Sequence, residues 1–181
     1  MVEDRLIQQL KSQEMSITED TILERLLDPL RWPKILPFYN QPSVEAIMED
    51  GSKHQNFFDQ NDLLKSFDCI KCYEEGHALI LSNIGSLCKD IWLIQQILNQ
   101  TYKKHINCNL YFGNGKKSVS FNKHNHEYPV IVKNIYGKSK WIIDEKEVIL
   151  KDQDVIWFDK NIDHQVVEIS DAKLSLTCNI E

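Results

Sequence analysis

Phe121-Asn-Lys-His124-Asn-His126-Glu127-Tyr128-Pro-Val-Ile-Val-Lys-Asn134-Ile-Tyr-Gly137-Lys-Ser139-Lys-Trp141 is the stretch on which the reading of this chain turns. His124 and His126 stand two apart at the edge of a segment with strand character, and a period of two sets both imidazoles on one face. One strand thereby presents a pair of potential metal ligands. Further along, Asp154-Val-Ile-Trp157-Phe158-Asp-Lys-Asn-Ile-Asp163-His164-Gln-Val reads as a strand, a turn and a returning strand that opens on another histidine. Antiparallel pairing that returns His164 opposite the pair brings three imidazoles together. Such a set leaves coordination positions open for a substrate or oxygen.

The rest of the sequence limits what this site belongs to. With 181 residues the chain is long enough for one domain with a sizeable core. A hydrophobic content of 42% against 27% charged residues is that of an ordinary globular protein. The formal net charge of −6, with no sustained basic stripe, argues against a nucleic-acid partner. No apolar run approaches the roughly twenty residues that span a bilayer, and the start at Met1-Val-Glu-Asp-Arg is charged and amphipathic rather than a signal peptide. The expectation is a cytoplasmic protein with no membrane partner. Of the five cysteines only Cys69-Ile-Lys-Cys72 has paired spacing, without a second pair, so they read as reduced thiols, several of them buried.

Taken in order, Leu6, Ile7 and Leu10 recur at helical spacing in residues 2–13, a short helix suited to the surface or to a dimer contact. Ser16-Ile-Thr18-Glu19 reads as a capping box for a helix carrying Ile22, Leu23, Leu26 and Leu27. Pro29, Pro33, Pro37 and Pro42 then enforce an extended crossing. Ser43–Met48 reads as another short helix, and Phe57 and Phe58 as anchors for a polar, irregular segment. Phe67–Cys72 and Ala78–Leu81 read as strands, followed by a helix over 86–99 with Leu87, Ile91, Trp92, Ile94, Ile97 and Leu98 on or near one face. From Ile106 the pattern is short strands to the end, with turns at Gly113-Asn-Gly115, Gly137, Asp144-Glu145-Lys146, Lys151-Asp152-Gln153, Asn161-Ile-Asp163 and Asp171-Ala172.

About eight short strands preceded by helices imply a mainly β fold, a double-stranded β-helix or jelly roll. The division is a helical and irregular extension over 1–66 and a barrel over 67–181 that includes the covering helix. Ligands on inward-facing strand positions at the mouth of such a barrel can hold a metal in a sheltered pocket.

Asn109-Leu-Tyr111, His124-x-His126, Asn134-Ile-Tyr-Gly137-Lys-Ser-Lys-Trp141, Leu150-Lys-Asp-Gln-Asp154-Val-Ile-Trp157 and His164 together resemble the core of the Jumonji C type cupins, most closely the bacterial and ribosomal oxygenase branch. That resemblance runs from about residue 67 to the end. It implies an Fe(II) and 2-oxoglutarate dependent oxygenase that hydroxylates a peptide, protein side chain or small molecule. Carried over by position, it implies that His124, His126 and His164 hold the metal and that Asn109, Tyr111, Asn134 and Ser139 face the co-substrate pocket.

Two departures from the family pattern bear on the chemistry. The usual carboxylate ligand is replaced by His126, which leaves a ferrous ion with more uncompensated charge. Glu127, the nearest carboxylate, should point outward in a regular strand unless a bulge re-aims it. The inward Lys or Arg that meets the far carboxylate of 2-oxoglutarate falls at Ser139, so either another cation fills in or the co-substrate differs. Two further classes therefore stand beside the first: a three-histidine cupin enzyme working without 2-oxoglutarate, on this or another divalent metal, and a non-catalytic binding module. Lys103, Lys104, Lys116, Lys117 and Lys123 are expected to border the mouth, and any homodimer to use the N-terminal helices or sheet edges.

Overall fold

A computed structural model describes residues 2–37, 39–115, 120–170 and 172–181. Helix α1 (Val2–Ser12) and helix α2 (Glu19–Leu26) lead the chain, and a turn of 3-10 helix at Pro29–Arg31 begins the extended crossing. Thr18, not Ser16, caps α2: its hydroxyl accepts from Thr21 N–H at 3.2 Å. Ser16 is drawn aside to the Asp90 carboxylate.

Strand β1 (Val44–Ile47) occupies the place where a helix was expected. It pairs on one side with β2 (Lys53–His54) and on the other with β3 (Ala78–Leu81). All four of its residues are buried, so neither the alternation nor the flanking polarity that marks a half-buried strand is there to be read. The second correction lies at α3 (Ser66–Glu74), expected as a strand. Its buried residues are Ser66, Cys69 and Tyr73, three and four apart, while Phe67 is 80% exposed. Cys69 and Cys72 sit on this helix as free thiols.

Helix α4 (Lys89–Tyr102) turns Ile91, Ile94 and Leu98 inward and ends with Lys103 in the left-handed region. The strands follow: β4 (Ile106–Gly113), β5 (Val130–Tyr136), β6 (Ser139–Ile143), β7 (Lys146–Leu150), β8 (Val155–Phe158), β9 (His164–Ile169) and β10 (Lys173–Ile180). They form a seven-stranded antiparallel sheet in the order β2-β1-β3-β4-β10-β5-β8 and a three-stranded sheet β7-β6-β9. This is the double-stranded β-helix expected from the strand count. Strands β1 and β2, which come before position 67, extend its larger sheet.

Alternation along β4 and β10 divides the two faces of that sheet. Ile106, Cys108, Leu110, Phe112, Leu174, Leu176, Cys178 and Ile180 join the main core with the helices. A second core, Val130, Val132, Trp141, Leu150, Phe158 and Val166, fills the barrel between the sheets. Helix α1 is fastened from beneath: the buried Lys133 ammonium donates to the Leu10 carbonyl at 2.9 Å, satisfying one of the unpaired carbonyls of the helix end. Among the described residues, no helix is long and apolar enough to cross a membrane.

Candidate metal centre

Two chain segments bring the histidines together. The backbones of His124 and His164 exchange hydrogen bonds of 3.1 and 2.8 Å as an isolated antiparallel bridge. The His-x-His segment is otherwise irregular, not the regular strand expected, yet both of its rings reach the same cavity as His164. Side chains reinforce the bridge. Asp163 accepts from Asn125 Nδ2 at 2.8 Å and pairs with Lys123 at 3.3 Å, tying the residue before one ligand to the residue between the other two.

One candidate ligand atom from each ring lies within 4.8 Å of the other two, so by geometry a single point lies within about 2.8 Å of all three. Metal–imidazole bonds of roughly 2.0–2.1 Å require each ring to close in by less than an ångström. The proton positions suit this. His124 Nδ1 lies 2.7 Å from the Asn122 carbonyl and His164 Nδ1 lies 2.9 Å from the Ile162 carbonyl. Each Nδ1–H donates there, which leaves Nε2 as the lone-pair donor, the arrangement that orients histidine ligands generally. Burial, and then the neighbouring His124 and His164, pulls the His126 pKa down to about 4, and burial lowers that of His164. Neutral imidazole is the ligating form, so the chemistry of this donor set fits a divalent metal. Glu127 is exposed and outside the cluster.

The cavity behind the cluster is narrow, with about 60 Å³ of free space, and its walls are mainly apolar: Val130, Val132, Val166, Trp141 and Phe158. Lys173 lines the same cavity. Its side chain is 5% exposed, and among the described residues its ammonium has no hydrogen-bond or ion-pair partner. The face of Trp141 lies 5.4 Å away, and burial pulls the Lys173 pKa down to about 8. On the other side of the histidines a wider, polar cavity of about 310 Å³ opens. Tyr111, Phe121, His124 and His126 border both.

No protein-family model matches the sequence, and no curated protein matches it. Among solved structures, the ribosomal oxygenase YcfD from Escherichia coli superposes with a TM-score of 0.58 at 10% identity, over 91% of this chain and 43% of that one. In its complex with cobalt and succinic acid the same protein gives a TM-score of 0.59 at 9% identity, over 91% of this chain and 44% of that one. The chain thus shares the fold of the E. coli ribosomal oxygenase, a double-stranded β-helix. A cupin superfamily protein from Desulfitobacterium hafniense aligns at 13% identity over 41% of this chain and 66% of its own, with a TM-score of 0.37. The chain spans less than half the length of the E. coli oxygenase.

Within this barrel the four residues assigned to the co-substrate pocket divide. Tyr111 lines the cavity, and burial pushes its phenol pKa up. Asn109 lines the wider, polar side, where its Oδ1 accepts from Asn83 N–H at 3.1 Å. Asn134 lines neither cavity: its amide donates to the Gly137 and Lys151 carbonyls and fastens two adjacent turns. Ser139 is also outside them, and its hydroxyl accepts from Trp141 Nε1 at 2.9 Å. Lys173 was not among the residues the family pattern points to, because it lies on a different strand from Ser139. Its signal was present: Lys173, Ser175, Thr177 and Asn179 are the inward set of an alternating last strand. Of the lysines expected at the mouth, Lys103 and Lys104 line neither cavity, Lys123 is paired to Asp163, and Lys116 and Lys117 lie outside the described residues.

Proposed function

We propose that this chain is an Fe(II)-dependent oxygenase that uses 2-oxoglutarate, or a closely related 2-oxo diacid, as co-substrate. The observation that carries the reading is Lys173, a buried ammonium with no ionic partner among the described residues, which lines the same cavity as the three histidines. An uncompensated buried cation costs stability, and an anionic guest removes that cost. Lys173 accordingly takes the role the family gives to a cation at the position of Ser139, from a different strand. Trp141 links the two ends, its ring 5.4 Å from Lys173 Nζ and 6.3 Å, centre to centre, from the His164 ring.

When bound, the ferrous ion supplies dioxygen activation. The chain's own residues do the rest. His124 and His164, locked through their Nδ1–H bonds, present Nε2 to the metal. Val132, Val166 and Trp141 keep water from the co-substrate, which strengthens its ionic contact with Lys173. The cobalt and succinate held by the E. coli oxygenase are a metal and a dicarboxylate, the two ligands this cavity is suited to.

The test is release of succinate from 2-oxoglutarate with Fe(II) under air, alongside calorimetric binding of 2-oxoglutarate to Co(II)-loaded protein. Turnover should vanish in His164→Ala, and binding should weaken at least tenfold in Lys173→Met. Equal 2-oxoglutarate affinity in the wild type and Lys173→Met overturns the reading. A second reading rests on the cluster holding no carboxylate among the described residues: a three-histidine cupin whose substrate itself chelates the metal. Metal uptake without any 2-oxoglutarate binding would select it.

A further inference from the structure

Another cavity lies where the extended crossing meets the end of β3, with about 210 Å³ of free space. Neither the three histidines nor Tyr111 borders it, so it stands apart from the metal centre. Arg31, the last residue of the 3-10 turn, forms one side. Its Nε is buried and donates no hydrogen bond, and its guanidinium has no ion-pair partner among the described residues. Arginine cannot release its proton to escape burial, so the part-buried guanidinium bears a desolvation penalty that an anion would remove. The chain has 27 acidic residues against 21 basic ones, yet among the described residues no carboxylate borders this cavity.

Other groups around the cavity can donate as well. Ser82 is 4% exposed, and its hydroxyl has no hydrogen-bond partner among the described residues. Asn83 and Ser86 stand exposed at the rim, and their side chains are equally uncommitted. The backbone that carries these donors is tied down. Asn83 N–H donates to Asn109 Oδ1 at 3.1 Å, and Leu87 N–H donates to the Ile84 carbonyl at 2.8 Å. On the opposite side Trp32 Nε1–H donates to the Arg25 carbonyl at 2.9 Å, and the Ser43 hydroxyl donates to the Pro33 carbonyl at 2.8 Å. A ligand therefore meets donors whose backbone is already ordered. Trp32, Leu36 and Leu87, all buried, give the same cavity an apolar wall.

We propose that this cavity binds a small organic phosphate, with the phosphoryl oxygens on Arg31, Ser82 and the rim donors and the organic body on the apolar wall. A guanidinium meets a phosphate through two parallel N–H bonds. The donors come from three segments, namely the 3-10 turn, the end of β3 and the turn before α4. A phosphate monoester presents three acceptor oxygens to such a set, where a carboxylate presents two in one plane. The assignment does not rest on the oxygenase reading, since none of the metal-binding histidines and not Lys173 takes part in it.

The experiment titrates phenyl phosphate calorimetrically into the whole chain without metal, so that phosphate has no metal ion to ligate, with benzoate and inorganic phosphate as comparison probes. Phenyl phosphate should bind at least tenfold more tightly than benzoate, which lacks the third oxygen, and than inorganic phosphate, which lacks the apolar body. Arg31→Met should weaken it at least tenfold, and Arg31→Lys should restore part of the loss, because the charge returns without the fork. Lys173→Met should leave it within threefold of the wild type. The comparison of probes on unaltered protein stands even where a variant folds poorly. Equal affinity for benzoate or inorganic phosphate, no binding of phenyl phosphate, or unchanged affinity in Arg31→Met overturns the assignment. Loss of phenyl phosphate binding in Lys173→Met with binding kept in Arg31→Met overturns it too, and places the anion in the narrow cavity instead.

Discussion

Lys173 holds its ammonium 5.4 Å from the centre of the Trp141 ring, with no anion beside it among the described residues. A desolvated cation over an indole gains about 2 kcal/mol, which offsets only part of the cost of burial. The same indole donates its N–H to Ser139, the residue standing where the family carries its cation. One aromatic side chain thus joins Ser139 to the strand that carries Lys173.

Stability of the metal-free protein should therefore rise with alkaline pH. An unfolded lysine titrates near 10.4, whereas burial holds Lys173 at about 8. Between these values the unfolded chain binds more protons than the folded one, so the free energy of unfolding increases with pH, by about 3 kcal/mol over the whole window. Below pH 8 both states are protonated and the full cost of burial is present. Urea midpoints at pH 7.5, 9 and 10 measure the slope. Lys173→Met should flatten it and be more stable at pH 7.5, and an unchanged slope in that variant would refute the account.

Gly137 is the next point of sensitivity. Its φ is +81°, and a Cβ there would lie 2.0 Å from the Ala172 carbonyl oxygen and 2.9 Å from Lys173 Cα. Both neighbours are backbone, so nothing flexible can move aside. Gly137→Ala should cost about 2–4 kcal/mol, seen as a lowered melting temperature. Because the clash displaces the start of β10, 2-oxoglutarate affinity should fall with it. A variant that loses stability and keeps full affinity would separate the turn from the placement of Lys173.

The strands from Ile106 onward were legible in the sequence because turn residues punctuate them. The histidines were legible because spacing and a returning strand place them. What failed has physical causes. In β1 neighbours on both sides bury every residue, which erases the alternation. In α3 the strand-favouring residues Phe67 and Ile70 conceal a helical set, Ser66, Cys69 and Tyr73. Lys173 is harder to read: its alternation with Ser175, Thr177 and Asn179 is visible, but which face of β10 turns inward is set only by the sheet order, with β10 between β4 and β5.

Ser139→Ala should separate structural support from co-substrate contact. Removing the hydroxyl leaves the Trp141 N–H without its acceptor in a buried place, at a cost of about 1–3 kcal/mol. Since Ser139 does not border the cavity, 2-oxoglutarate affinity should change less than threefold. A calorimetric loss of tenfold or more, with the fold intact by circular dichroism, would return Ser139 to the co-substrate pocket.

The histidine cluster should impose an acid limit on the metal-free protein. Unfolded histidine titrates near 6.5, while burial and the adjacent His124 and His164 hold His126 at about 4. Between these values the unfolded chain takes up the proton first, so stability falls as pH drops from 6.5 toward 4 and that contribution levels off below. His126→Phe retains a ring against Tyr128 and removes this proton linkage, so part of the acid slope should disappear. Cobalt binds only the assembled cluster, and at a hundredfold excess over its Kd it should add about 2.7 kcal/mol at pH 7 in the wild type. In His126→Phe that increment should shrink sharply, because two imidazoles hold the ion where three did. Thermal unfolding at pH 7, 5.5 and 4, with and without cobalt, reads both effects. An equal cobalt increment in the two proteins would show that His126 is not a ligand, whatever its distance from the other two rings.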